Sequence, residues 1–131
     1  MQREIINPWT WQEAYGFVHA NKISGSGELL FLAGQTASDA HGHTLHAGDM
    51  ARQIDQVLAN IGCILAQAGM DFSHVVRLNI YTIDLGALMA AHDYMTAALQ
   101  QLGCRHAGTL LGVTGLAAPG ALVEIEVTAA K

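Results

Sequence analysis

Pro119-Gly-Ala-Leu-Val-Glu-Ile-Glu-Val127 is the stretch of this sequence that best defines its fold. Over residues 122–128 apolar and polar residues alternate, which places the branched apolar side chains on one side of a strand and Glu124 and Glu126 on the other. The preceding segment, residues 108–120, predicts another strand, joined to this one across Pro119-Gly120. It contains no basic residue that could pair with the two carboxylates. The glutamates therefore lie either on a solvated sheet face or in a site.

The rest of the chain predicts the element order β-β-α-β-α-β-β. Strands are expected over residues 17–24, 29–33 and 75–83, followed by the two terminal strands. The first helix is expected to begin near Asp49, a suitable N-cap, and to end at Gly69, which suits a left-handed C-terminal cap. A second helix is expected over residues 85–102. Because strands separated by helices need crossover connections, the pattern predicts an α+β fold with a mixed sheet and both helices on one face.

Length and composition indicate one domain, residues 1–131, that belongs to an oligomer. The chain has 131 residues, of which 51% are hydrophobic and only 13% are charged. In an average soluble domain, about a quarter of the residues are charged. A surface so poor in charge is expected where neighbouring subunits cover part of it.

Charge and hydropathy exclude several function classes. A net charge of −5 with six Lys and Arg residues, and no basic run, argues against a nucleic-acid partner. No apolar run approaches the ~18 residues of a membrane span, and the N-terminus does not resemble a signal peptide. Cys63 and Cys104 form no CxxC motif, so we expect reduced, buried thiols and a cytoplasmic location.

A histidine-rich loop is the one candidate for a metal site. Asp39, His41, His43 and His46 lie within eight residues of one another. His-x-His spacing binds metal when both rings share a strand face. This segment contains glycine and has no clear supporting pattern, so a solvated loop is the default and neither metal nor cofactor is expected.

Taken together, several segments resemble the reactive-intermediate deaminase family, also called RidA/YjgF or L-PSP endoribonuclease. They are Leu32-Ala-Gly-Gln-Thr36, the helix start Gly48-Asp-Met50, Ala68-Gly69 and the terminal Val-Glu-Ile-Glu strand. The likeness spans about residues 16–130. It implies a chorismate-mutase-like fold and a compact homotrimer with a barrel-like core and three ligand clefts between subunits. It also implies cofactor-free hydrolysis of enamines and imines, such as 2-aminoacrylate, to keto acids and ammonia.

The resemblance also assigns roles to residues. In the family, a glutamate on the last strand positions or activates the attacking water, and here it corresponds to Glu124. The glycine of the Ala-Gly-Gln turn corresponds to Gly34. An aromatic residue near the first strand, often tyrosine, corresponds to Phe17, and a second-helix residue near the cleft, often asparagine, corresponds to His92. Thr109 and Leu110 belong to the strand expected to line the cleft.

The sequence departs from the family at one decisive position. The arginine that binds the substrate carboxylate should precede Thr109, and that position is Gly108. Arg105 would lie roughly 10 Å away along a continuous strand and on its opposite face. Arg77 is expected to be a surface or interface charge. Losing one charged hydrogen bond, about 1.5–3 kcal/mol, weakens binding by one to two decades.

These residues leave two function classes open. The first is an enamine or imine deaminase that uses Glu124, with His92 as a second acid–base group, and that has weak or no activity on 2-aminoacrylate-type acids. The second is a non-catalytic trimeric module that binds a small metabolite or a partner protein. In that case His92 packs at an interface and Glu124 accepts hydrogen bonds from backbone N–H groups there. The acidic charge disfavours ribonuclease activity. Trp9, Trp11 and Tyr15 are expected to cover the cleft edge or the neighbouring subunit.

Overall fold

The computed structural model describes all 131 residues, and a four-stranded mixed sheet forms its centre. The strand order is β3-β6-β4-β5. These strands are β3 (Leu29–Phe31), β4 (Val75–Thr82), β5 (Leu110–Gly112) and β6 (Val123–Ala130). Only β4 and β5 are parallel, and the other pairs are antiparallel. The predicted α+β class and mixed sheet are confirmed.

The last strand, β6, follows the predicted alternation, but the two terminal strands do not pair with each other. On β6, Val123, Ile125 and Val127 are buried while Glu124 and Glu126 are half-buried. Strand β4 lies between β5 and β6 and pairs with both. The segment around Pro119-Gly120 is therefore a connection across the sheet and not a hairpin turn.

A second, two-stranded sheet at the N-terminus was not predicted. Strand β1 (Gln2–Ile6) pairs antiparallel with β2 (Ala20–Ser24). The predicted strand over residues 17–24 therefore starts later, because the chain before it forms a 3₁₀ helix, Trp11–Tyr15, and then turns. Polar residues interrupt the apolar pattern of β1, which explains why its sequence carried a weak strand signal.

The first helix agrees with its prediction and the second does not. Helix α1 (Met50–Gln67) is capped by the Asp49 side chain, which accepts a hydrogen bond from the Arg52 N–H at 3.1 Å. Gly69 follows with φ 68°. The second predicted helix is two helices, α2 (Leu85–Ala90) and α3 (His92–Gln101). Ala91 separates them because its φ of −96° and ψ of 4° leave the helical region.

All three α-helices contribute to one core against one face of the sheet, as predicted. The cluster joins buried residues of α1, such as Ile54 and Ile61, to Leu78 and Ile125 of the sheet. Cys104 is buried within the same cluster, whereas Cys63 is exposed, so the expectation of two buried thiols was wrong for Cys63. None of the helices is long and apolar enough to cross a membrane.

The opposite face of the sheet, which we call the open face, carries no helix. Cross-strand pairs fix its members, because directly opposed residues point to the same side. The polar members are Arg77, Asn79, Tyr81, Glu124, Glu126 and Thr128. Leu29, Phe31 and Leu111 add exposed apolar side chains, with Phe31 73% exposed. An apolar patch of this kind is typical of an interface between chains.

Candidate active site

A cavity of about 520 Å³, which we call the aromatic cavity, lies on the helix side of the sheet. Helix α3, the edge strand β5 and the 3₁₀ helix Trp11–Tyr15 form its walls. Its lining residues are Trp11, Tyr15, Phe17, Leu78, Ile80, Met89, His92, Met95, Thr96, Leu99, His106, Gly108, Thr109 and Leu110. Apolar side chains with a few polar groups are the usual lining of a small-molecule site.

Edge-to-face aromatic contacts shape one wall of the cavity. The ring of Trp11 lies 5.8 Å from Phe17 and 6.3 Å from Tyr15, centroid to centroid. Tyr15 in turn lies 6.0 Å from His92, the first residue of α3. Trp11 and Tyr15 thus line this cavity, whereas Trp9 packs on His19.

The structure brings five of the seven predicted site residues together in this cavity. Phe17, His92, Gly108, Thr109 and Leu110 all line it. The backbone that carries Thr109 is fixed on both sides. Its N–H donates to Asn79 Oδ1 at 3.1 Å, and its carbonyl accepts from the Ile80 N–H at 2.8 Å.

The other two predicted residues, Glu124 and Gly34, lie together on the open face. Glu124 is paired with Tyr81 across the sheet, whereas the neighbouring Ile80 points into the aromatic cavity. Successive residues of a strand face opposite sides, so the sheet separates Glu124 from the cavity within one chain. Glu124 Oε1 contacts Gly34 so closely that a β-carbon there would collide with it. We call this pair the Glu124 half-site.

The two glutamates of β6 differ in their partners. Glu126 Oε1 accepts hydrogen bonds from the Tyr81 hydroxyl at 2.6 Å and from Asn79 Nδ2 at 3.0 Å. These donors lower the pKa of Glu126 below its usual value. No N–H or O–H of the same chain donates to the Glu124 carboxylate. Glu124 is therefore the glutamate of this strand whose carboxylate is available to a ligand or to water.

His106 is a cavity residue that the sequence did not reveal. It is 8% exposed, and its Nδ1 lies 3.8 Å from the buried Cys104 Sγ. Burial lowers the pKa of His106 to about 4 and raises the pKa of the Cys104 thiol to about 12, so both groups are neutral at pH 7. The residue lies outside every helix and strand, so no periodic pattern marked it.

The buried histidine predicts a loss of stability in acid. Unfolded His106 takes up a proton near pH 6.5, whereas the folded residue resists protonation down to about pH 4. The unfolded state thus binds more protons between these values, and the free energy of unfolding falls by about 3 kcal/mol as pH drops through this window. Urea unfolding of the wild type and His106→Phe at pH 7 and pH 4 measures the difference. An equal pH dependence in both proteins would contradict it.

The aromatic cavity contains no lysine or arginine. The backbone at Gly108 runs so close to β4 that a β-carbon would collide with the Leu78 carbonyl oxygen. Arg105 is exposed and outside the lining, and its carbonyl accepts a hydrogen bond from Asn21 Nδ2. Arg77 lies on the open face near Glu126.

The histidine-rich loop is organised by its aspartate. Asp39 Oδ1 accepts hydrogen bonds from the backbone N–H groups of His41 and His43, both at 2.9 Å. These bonds lower the pKa of Asp39. The rings of His41 and His43 lie 6.3 Å apart, and no cluster of three or more His, Cys, Asp or Glu side chains is placed to hold a metal ion. The carboxylate therefore shapes the loop.

Comparison with known proteins agrees with this architecture. The family model described as endoribonuclease L-PSP matches residues 12–131. The chain belongs to this family, known also as RidA/YjgF. Another member, the Rid-family protein YyfB from Yersinia pestis, whose crystal structure is described as that of a protein of unknown function, is 37% identical. The match covers 100% of both chains with a TM-score of 0.88. The predicted family and its chorismate-mutase-like fold are thus confirmed.

Two curated relatives match over a shorter part of the chain. Protein DfrA of Myxococcus xanthus is 41% identical over 77 residues, which is 56% of this chain and 59% of DfrA. The 2-iminobutanoate/2-iminopropanoate deaminase of Capra hircus is 33% identical over 64 residues, 49% of this chain and 47% of that protein. The matches thus span about half the length of these relatives.

Proposed function

We propose that this Rid protein is a homotrimeric hydrolase of small imines or enamines, which yields a carbonyl compound and ammonia. The free carboxylate of Glu124 carries the proposal, because it differs from Glu126 in having no hydrogen-bond partner in its own chain. The name of the goat relative, a deaminase of 2-iminobutanoate and 2-iminopropanoate, supports this reaction class.

In this proposal the active site is built from two subunits. Within one chain the sheet separates the Glu124 half-site from the aromatic cavity, so only a second copy can supply the carboxylate. The exposed Phe31 and Leu111 on the open face suit such a contact. A head-to-tail arrangement forms a ring when the rotation between subunits closes, and a threefold ring repeats the site three times.

The chemistry needs water and two proton-transferring groups. Glu124 of a second copy accepts a proton from water. At the same time the water oxygen bonds to the imine carbon and the C=N π electrons move to nitrogen. The nitrogen then takes up protons, the C–N bond breaks, and ammonia leaves as the C=O bond forms. His92 in the cavity wall is the second acid–base group. No step requires a cofactor.

Activity on 2-aminoacrylate and related imino acids is proposed to be weak or absent. No cationic side chain in the cavity can pair with a substrate carboxylate, and burying an unpaired carboxylate costs several kcal/mol. With 2-iminopropanoate, generated in place by an amino-acid oxidase, we expect kcat/KM about 10- to 100-fold below that of the goat deaminase. Equal rates would overturn this expectation.

The alternative function is a non-catalytic trimeric module that binds a metabolite or a partner protein. Ligand binding without ammonia release from any imine would favour it. Ribonuclease activity, which the family description names, has little support from a chain of net charge −5. The two free cysteines suit a reducing compartment, and we place the protein in the cytoplasm on that basis.

A further inference from the structure

We propose that the aromatic cavity selects an uncharged aromatic imine and that His106 is the residue that hydrogen-bonds the polar end of this ligand. The inference rests on the proposed function only in placing the substrate in this cavity. Neither part follows from the goat relative, whose name specifies imino acids.

Size and lining favour an aromatic ligand. Trp11, Tyr15 and Phe17 present rings at one wall, and Met89 and Met95 add polarisable thioethers, which make favourable contacts with aromatic rings. A dry cavity of about 150 Å³ is sufficient for benzene. The aromatic cavity, at about 520 Å³, holds a ring with room for a C=N group and a water molecule.

The charge of the cavity favours an uncharged ligand. Its polar groups are two histidines, two threonines, the Tyr15 hydroxyl and the Trp11 indole N–H, with no lysine or arginine. His106 is held neutral by burial. A neutral hydrogen-bond donor satisfies a neutral acceptor, but it leaves a buried carboxylate without a compensating charge. The same cavity therefore accepts a neutral imine and rejects its carboxylated analogue.

The contact with Cys104 is the basis on which we assign the proton of His106 to one ring nitrogen. The Cys104 thiol keeps its proton because burial raises its pKa, so its S–H can donate a hydrogen bond. His106 Nδ1 is the acceptor within reach of this S–H, at 3.8 Å. A neutral imidazole that accepts at Nδ1 carries its proton on Nε2. The Nε2–H then donates to the imine nitrogen or to a carbonyl oxygen of a ligand.

A matched pair of non-reactive probes tests the selectivity. Benzamide and benzoate share a ring and differ in charge, and calorimetric titration of the wild-type protein gives their dissociation constants. We expect benzamide to bind at least about 10-fold more tightly, the effect of an unpaired buried charge. Benzoate binding as tightly as benzamide would overturn the inference.

Variants and spectroscopy test the role of His106. His106→Phe is expected to weaken benzamide binding about 2- to 10-fold, the effect of one hydrogen bond, whereas His106→Gln retains an N–H donor and restores most of the affinity. In the wild type, ¹⁵N spectra should show the proton on Nε2 and a shift of that signal when benzamide is added. A proton on Nδ1, or a signal that benzamide leaves unchanged, contradicts the role even if neither variant folds.

Binding and turnover separate the two proposals. Neither benzamide nor benzoate is an imine, so their affinities do not depend on hydrolysis. Preference for benzamide without ammonia release from any imine would refute the proposed function and leave this inference standing. Imine turnover together with equal binding of both probes would support the proposed function and refute the selectivity of the cavity.

Discussion

Glu124→Gln is expected to lower imine turnover about 10²- to 10⁴-fold, the usual contribution of a general base. The amide has nearly the same shape and can still contact Gly34, but it cannot accept a proton from water. The rate of ammonia release from phenylacetaldehyde imine, generated in place by a flavin amine oxidase and corrected for spontaneous hydrolysis, gives the effect.

Glu126→Gln is the matched control. Glu126 lies two residues further along the same strand and faces the same side, but its carboxylate is bound by Tyr81 and Asn79. A glutamine can still accept from the tyrosine hydroxyl, so most turnover should remain. A larger loss of turnover in Glu126→Gln than in Glu124→Gln would show that Glu126, and not Glu124, is the general base.

Mixing two inactive variants extends the test to the shared site. Glu124→Gln chains keep an intact cavity, and Thr109→Trp chains block the cavity but keep Glu124. If equal amounts of the two variant chains assemble at random into trimers, about a quarter of the sites combine an intact cavity with an intact glutamate from the neighbouring subunit. Ammonia release should therefore recover to about that level after joint refolding. No recovery would contradict a site built from two subunits.

Gly108→Ala is expected to destabilise the protein by about 1–3 kcal/mol, and Gly108→Arg by more. The added β-carbon collides with the Leu78 carbonyl, a backbone atom that cannot move without disturbing the pairing of β4 with the segment that leads into β5. Restoring the family's arginine should therefore weaken the fold without producing activity on 2-iminopropanoate. Urea unfolding and the imine assay measure the two effects.

Gly115→Ala controls for the loss of a glycine nearby. A β-carbon at Gly115 meets no atom within 4 Å, and its φ is not positive, so stability should change by less than about 1 kcal/mol. A Gly108→Arg protein that is as stable as the wild type and hydrolyses 2-iminopropanoate would show that this backbone can move to admit the side chain.

Much of the fold could be predicted from strong local signals. The alternation on β6 placed its two glutamates opposite the core, and the cap residues Asp49 and Gly69 bounded α1. The cavity residues around Thr109 came from the family resemblance, which aligned this strand and its missing arginine. These features depend on periodicity or on short motifs, both of which survive in a single sequence.

The remaining features depend on contacts between distant segments. Ala91 carries no helix-breaking chemistry, so the division between α2 and α3 was invisible. His106 acquires its neutral state from burial beside Cys104, which no local pattern shows. The separation of Glu124 from the cavity needs the sheet pairing as well, because only the register of β6 with β4 shows that Ile80, which lines the cavity, faces the side opposite to Glu124.

The proposed function requires this Rid protein to hydrolyse neutral imines at a cavity that lacks a carboxylate-binding cation. Phenylacetaldehyde imine and 2-imino-3-phenylpropanoate differ only in the carboxylate, so the ratio of their kcat/KM values tests the claim directly. We predict that the neutral imine is preferred by at least about 10-fold, because its competitor buries an unpaired charge. Equal rates, or preference for the imino acid, would contradict the claim.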